Sequence, residues 1–207
     1  MPLNLTVQAS VVDLRGDIPQ ASDPFFVDTN VWYWLTYTRS KLGNRSPHPY
    51  QITHYPRYIT KAIATQSRLY KCGLTHSEVS HLVENNERDI YNRQNPECNT
   101  KEFRHNFPNV RMNVVQEIQV VWQQIEQFGN TLELLLDDRL IAQADQRLAQ
   151  VQLDGYDLFI VELMFQNVIV NIITDDCDFV TVPGLTVYTA NTTAVEEARR
   201  QGQLIKR

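Results

Sequence analysis

The run Phe25-Phe26-Val27 is wholly apolar and strand-favouring, and Asp23-Pro24 separates it from the preceding chain. Beyond it the period changes. Val31, Trp32 and Leu35, with Trp34 beside them, fall on the buried side of a helix, so Asp28-Thr29-Asn30 stands where a strand hands over to a helix. Residues 39–54, with Gly43, Pro47 and Pro49, read as an irregular loop. From Pro56 to Lys71 the residues Ile59, Ala62, Ile63, Leu69 and Tyr70 recur at helical spacings, and Gly73 stands where a C-cap belongs. A second helix is expected from about Ser77, with Val79, Leu82, Val83, Asn86 and Ile90 on one side. Residues 94–107 are polar and read as a connection. A third helix is expected from Pro108 to Gly129 on the stripe Val114, Val115, Ile118, Val121, Trp122, Ile125 and Phe128.

Further on, Leu140, Ile141, Ala144, Leu148 and Val151 predict a helix over 138–151, and a short one follows over 156–165. Residues 168–173 are apolar except for Asn171, the pattern of a parallel strand buried on both faces. Leu185 to Thr189 reads as a last strand. Thr193-Ala194-Val195-Glu196 has the form of a capping box and opens a tail helix over 192–207. Strands alternating with helices predict an α/β fold, a parallel β-sheet flanked by helices with helical insertions in the middle third. The reading is one domain over 1–207, with a core of about 23–190 and an extension at 1–22.

The chain has 207 residues and a formal charge of -5, which excludes a uniformly basic coat for nucleic acid but leaves room for a local basic patch. Met1 to Ser10 holds no Lys or Arg, so no secretory leader is expected, and no stretch has the apolar length of a membrane span. Three scattered cysteines and five histidines without ligand spacing suggest neither a disulfide framework nor a zinc site. A cytoplasmic protein is expected.

Two strand ends carry carboxylates: Asp28, and the cluster Asp175, Asp176 and Asp178 after residues 168–173. Parallel strands deliver their carboxyl ends to one edge, so the groups can meet across the sequence. Taken singly, Asp28 also reads as an N-cap, and Asp175 and Asp178 as turn residues. Three acids in four residues are costly without a counter-charge, and oxygen-only ligands suit Mg2+ or Mn2+.

Phe25-Phe26-Val27-Asp28-Thr29-Asn30-Val31 and Ile172-Ile173-Thr174-Asp175-Asp176-Cys177-Asp178-Phe179 resemble the opening and closing motifs of the PIN-domain nucleases. Between them Gly155-Tyr156-Asp157-Leu158 resembles the family's third acidic motif, and Ser77-Glu78-Val79 its second. The resemblance implies an acidic quartet of Asp28, Glu78, Asp157 and Asp176, with Asp178 as an auxiliary metal ligand and Asn30, Thr174 and Asp175 in support. It implies Mg2+ or Mn2+ as cofactor, hydrolysis of RNA phosphodiesters, and the family's compact fold, which this chain exceeds in length. It leaves open an antitoxin-type protein partner and a homodimer. Glu78 has a second reading as part of a capping box with Thr75, in which case Glu84 on the same helix replaces it. Asp154, one turn before Asp157, reads as solvated.

From Thr29 to Ser77 there are seven cations and no Asp or Glu, interleaved with Tyr37, Tyr50, Tyr55, Tyr58 and Tyr70. Cations along a phosphate backbone with rings for unpaired bases are the means of single-strand recognition. Arg39, Lys41 and Arg45, close to Asp28, are the expected substrate contacts, while Tyr58 and Tyr70 are expected in the core. The leading expectation is therefore a metal-dependent endoribonuclease. An RNA-binding module without hydrolysis is the alternative. A third reading starts from the likeness of Asp28-Thr29-Asn30 to haloacid-dehalogenase-like phosphatases, which carry a second Asp where Asn30 stands.

Overall fold

The structure is a computed structural model that describes residues 4–207. Among these residues seven strands form one sheet: β1 (Ser10–Asp13), β2 (Pro24–Val27), β3 (Arg68–Cys72), β4 (Gly129–Leu132), β5 (Asn171–Ile173), β6 (Thr186–Thr189) and β7 (Leu204–Ile205). All pairings are parallel, in the order β4-β3-β2-β5-β6-β1-β7. The helices are α1 (Thr29–Thr36), α2 (Gln51–Ala64), α3 (Gly73–Asn92), α4 (Thr100–Asn106), α5 (Pro108–Phe128), α6 (Asp138–Leu148), α7 (Gly155–Gln166) and α8 (Thr192–Arg200). The α/β class expected from the alternation of elements is thus what the chain adopts. Among the described residues no helix is long and apolar enough to cross a membrane.

The central strands are buried on both faces, which is why their sequences are continuous apolar runs. Successive side chains alternate between faces. Phe25, Val27, Leu69, Ile173 and Tyr188 enter a cluster with Trp32, Tyr55 and Ile125 from α1, α2 and α5. Phe26, Ile172 and Val187 enter the opposite cluster with Val161 and Met164 of α7 and Ala194 of α8. From β2 the chain runs outward to β3 and β4, whereas from β5 it runs to β6 on the other side. The connections therefore diverge between β2 and β5, and a crevice opens at their carboxyl ends, the switch point where open α/β sheets take ligands.

Several sequence-based boundaries change. The helix expected over 56–71 is α2 followed by β3: Gln66, at φ 59°, turns the chain back, with Ser67 N–H closing on the Ala62 carbonyl. The apolar spacing of Leu69 and Tyr70 belongs to a strand, and Gly73 opens α3 instead of closing a helix. Part of the expected loop, residues 51–54, is the first turn of α2. The connection at 94–107 contains α4, capped by Asn99 and Glu102. The strand expected over 168–173 shortens to β5, because Val168, at φ 56°, reverses the chain after α7.

Two strands show no sequence signal of their own. β4 is an edge strand with exposed Asn130 and Thr131. β1 offers only Val11 and Val12, yet it lies between β6 and β7, so residues assigned to an N-terminal extension complete the sheet. The tail at 192–207 is α8 and then β7, and α8 is capped by Asn191, not by a box starting at Thr193.

Candidate active site

Four carboxylates meet at the crevice, each brought by a different element. Asp28 follows β2 and caps α1, its Oδ1 accepting the Asn30 N–H at 3.4 Å. The capping reading and the site reading of Asp28 therefore hold together. Asp176 follows β5, Asp157 lies in the first turn of α7, and Glu78 in the second turn of α3. The four line one cleft of about 680 Å³ with Asn30, His81 and Tyr156.

Neighbouring hydroxyls fix the acids. Thr174, fully buried, donates from Oγ1 to Asp28 Oδ2 at 2.7 Å and accepts the Asp176 N–H at 3.0 Å, so it couples the two strand ends. Thr29 Oγ1 donates to Glu78 Oε2 at 2.5 Å. The capping role considered for Glu78 is not taken: the box at the start of α3 uses Cys72 and Thr75. Asn30 itself is exposed at the rim.

Crowding of like charge is visible in the titration of these groups. Burial, followed by the charges of Asp176 and Glu78, pushes Asp28 from 3.8 up to about 7 against the Thr174 hydrogen bond. Burial, then the charges of Asp28, Asp176 and Glu78, pushes Asp157 up to about 8. Burial also raises Glu78, despite the bond from Thr29. Asp178, raised by burial and by Asp176 and Asp154, sits beside the cluster; its N–H donates to Asp176 Oδ1 at 2.8 Å. Asp154 is the exposed residue before α7. Among the described residues Asp28, Glu78, Asp157 and Asp176 are in no ion pair.

Two expected participants do other work. Asp175 turns away from the cleft toward α2, where Tyr50 O–H (2.9 Å), Gln51 Nε2 (2.6 Å) and Tyr55 O–H (2.6 Å) donate to it. It anchors the turn after β5 instead of adding charge to the cluster. Glu84 does not replace Glu78: its buried carboxylate is ion-paired with Arg104 of α4 and, at 2.5 Å, with Arg111 of α5. Burial raises its pKa, but the Arg104 hydrogen bond and the two guanidinium charges outweigh it and hold Glu84 below the ordinary carboxylate range.

The basic segment is also redistributed. Arg39 pairs with Glu87 of α3 at 2.9 Å, while Lys41 and Arg45 are exposed on a neighbouring loop, and none of the three lines the acidic cleft. Tyr37 and Tyr55 are fully buried like Tyr58, so they pack the core and offer no face for a base. Lys71 is buried too, its Nζ donating to Thr131 Oγ1 at 2.5 Å and lying 4.6 Å from the centre of the Trp122 ring. The cations that do reach the cleft are Arg104 and Arg111, from the polar connection and the helix after it. The sequence clue to them was Glu84, an acid on the apolar side of α3 that needs a counter-charge there.

No three His, Cys, Asp or Glu side chains among the described residues form a ready-made cage for an ion. The donor chemistry nevertheless fits a hard cation, because the four converging acids offer carboxylate oxygens from several elements, and they raise one another's pKa in the absence of a counter-charge. Compared with known protein families and with curated proteins, the sequence finds no match.

Proposed function

We propose that this protein is a metal-dependent endoribonuclease of the PIN-like kind, hydrolysing phosphodiester bonds of single-stranded RNA. The observation that carries the reading is the convergence, at the switch point of a parallel sheet, of Asp28, Glu78, Asp157 and Asp176 without a cationic partner. Structural ion-pair networks neutralise their acids; this cleft concentrates them. Isolated carboxylates would repel a phosphodiester, so the arrangement favours a role that includes a divalent cation.

Asp28, Glu78, Asp157 and Asp176 are the residues that would hold Mg2+ or Mn2+, which when bound supplies charge neutralisation and a more acidic coordinated water. The remaining work falls to the chain. Thr174 and Thr29 donate to Asp28 and Glu78 and so fix which carboxylate oxygens face the cleft. The Asp175 anchor holds the turn that presents Asp176. Ser77 and Ser80 line the cleft with His81, but neither hydroxyl is hydrogen-bonded to a base in the manner of an activated side-chain nucleophile, which suits attack by water.

A capping Glu78 would have favoured the alternative of an RNA-binding module without hydrolysis, and Glu78 does not cap. The test is incubation of purified protein with labelled single-stranded RNA in Mg2+ or Mn2+, then with chelator. Cleavage that chelator stops, and that Asp157→Asn abolishes, is the expected result. Cleavage unaffected by either change would refute the reading.

A further inference from the structure

The cleft that holds the acids is also lined from α4 and α5, elements that the strand-end chemistry does not require. Arg104 and Arg111 come from either side of the break at Phe107 and converge on one buried carboxylate, Glu84. Two guanidiniums against one acid leave a net positive charge, and both arginine side chains keep exposure, 43% and 35%. Each guanidinium has five N–H donors, and the pairing with Glu84 occupies only some of them. The rest are available where the cleft opens. Glu84 therefore holds the two arginines in place while lying deeper than they do.

Ser80 lines the same cleft one turn before Glu84, and its buried hydroxyl has no hydrogen-bond partner. Tyr156, next to Asp157, is half exposed and lines the cleft as well.

We infer that Arg104 and Arg111, braced by Glu84, form the phosphate-binding wall of the cleft and grip a backbone phosphate of a single-stranded nucleic acid whose neighbouring ester lies at the acids. The inference rests on the nuclease reading for its choice of ligand, but binding alone tests it. Planar guanidiniums match phosphate oxygens in pairs, which a point charge does not. The wall supplies the attraction that the acids lack, and it places substrate recognition on the inserted helices instead of on Arg39, Lys41 and Arg45.

The experiment measures fluorescence anisotropy of a labelled single-stranded RNA oligonucleotide against salt, in chelator, with wild type and three variants. Removing the arginines alone would leave Glu84 buried without a partner, so the main variant is Glu84→Gln/Arg104→Gln/Arg111→Gln. Affinity is expected to fall about tenfold or more. The slope of log affinity against log salt should drop by about 1.4, at about 0.7 for each lost contact. Arg104→Gln, which leaves Arg111 on Glu84, should lose about half of that slope. Arg104→Lys/Arg111→Lys should keep the slope while weakening affinity. Circular dichroism identifies a main variant that fails to fold, in which case the other two carry the test.

Unchanged affinity and slope in a folded variant, or no RNA binding by wild type, would overturn the wall. The two readings fail separately. RNA binding that depends on the arginines without any metal-dependent cleavage would sink the nuclease and leave the wall. Cleavage by wild type with KM and affinity indifferent to the arginines would do the reverse.

Discussion

Replacing Asp28 by Asn is expected to stabilise the metal-free protein while abolishing cleavage. Asn keeps an oxygen for the Asn30 N–H and is as good a cap as Asp. Thr174 Oγ1 can turn from donating to accepting at the new amide. What the substitution removes is the charge. Below pH 3.8 both folded and unfolded chains hold the proton and Asp28 costs nothing. As the pH rises from 3.8 to about 7 the unfolded chain releases it first, so stability falls, and above about 7 the whole penalty is present.

At 1.36 kcal/mol per tenfold change the ceiling is about 4 kcal/mol. Asp28 keeps contact with solvent in the cleft, and screening there reduces the figure to about 1–2 kcal/mol. For a chain of this length that corresponds to a melting temperature about 3–6 °C higher in the variant at pH 8. Thermal melts in chelator from pH 3.5 to pH 8.5 measure it: the curves should coincide at the acid end and separate toward neutrality. A variant no more stable than wild type at pH 8, or a gain of equal size at every pH, would refute the argument that like charge is stored in this cleft.

Manganese should reverse the ranking: at a hundredfold excess over its dissociation constant it adds about 2.7 kcal/mol to wild type, roughly 5–10 °C, and Asp176→Asn should lose most of that shift. A full shift in the variant would place the ion elsewhere. Glu84→Gln should cost about 1–2 kcal/mol at pH 7, because it unpairs two partly exposed arginines. Since Glu84 is held below its ordinary 4.5, that deficit should shrink as the pH falls below 4.5; urea melts giving a constant deficit down to pH 3 would contradict it. Val168→Gly should raise stability by about 1 kcal/mol, since Val168 is exposed and adopts a left-handed conformation that a β-branched residue tolerates poorly. A lower melting temperature in that variant would mean that the side chain has a packing role.

The elements legible in the sequence are those that bury apolar surface at a clear period. Phe25-Phe26-Val27 and Ile172-Ile173 are continuous because both faces are covered, and α5 shows its stripe along its length. Strands β1 and β4 were not legible, because each is short and takes its order from a neighbour's backbone. The end of α2 and the start of β5 were missed for a different reason: Gln66 and Val168 reverse the chain in left-handed conformations that neither residue type announces. At the site, the strand-end rule brings Asp28 and Asp176 together, and the resemblance placed Glu78 and Asp157 beside them. It also set Asp176 in the quartet and Asp175 only in support, but it could not show that Asp175 faces α2 while Asp176 faces the cleft. Nor could it find Arg104 and Arg111, whose place is set by the fold of the inserted helices.

The position of β1 has a bearing on how the chain is made. Ser10–Asp13 leave the ribosome long before both strands that flank them, Thr186–Thr189 and Leu204–Ile205. At about 5–20 residues per second, roughly 10–35 s pass before either partner exists. Meanwhile β2, β3 and β4 can pair as soon as residue 132 is out, and β5 can then dock on β2. Val11 and Val12, buried in the finished protein, stay without a partner throughout that interval. β1 is thus made before β2 yet placed after it, and the nascent chain carries an apolar segment until β6 and β7 arrive.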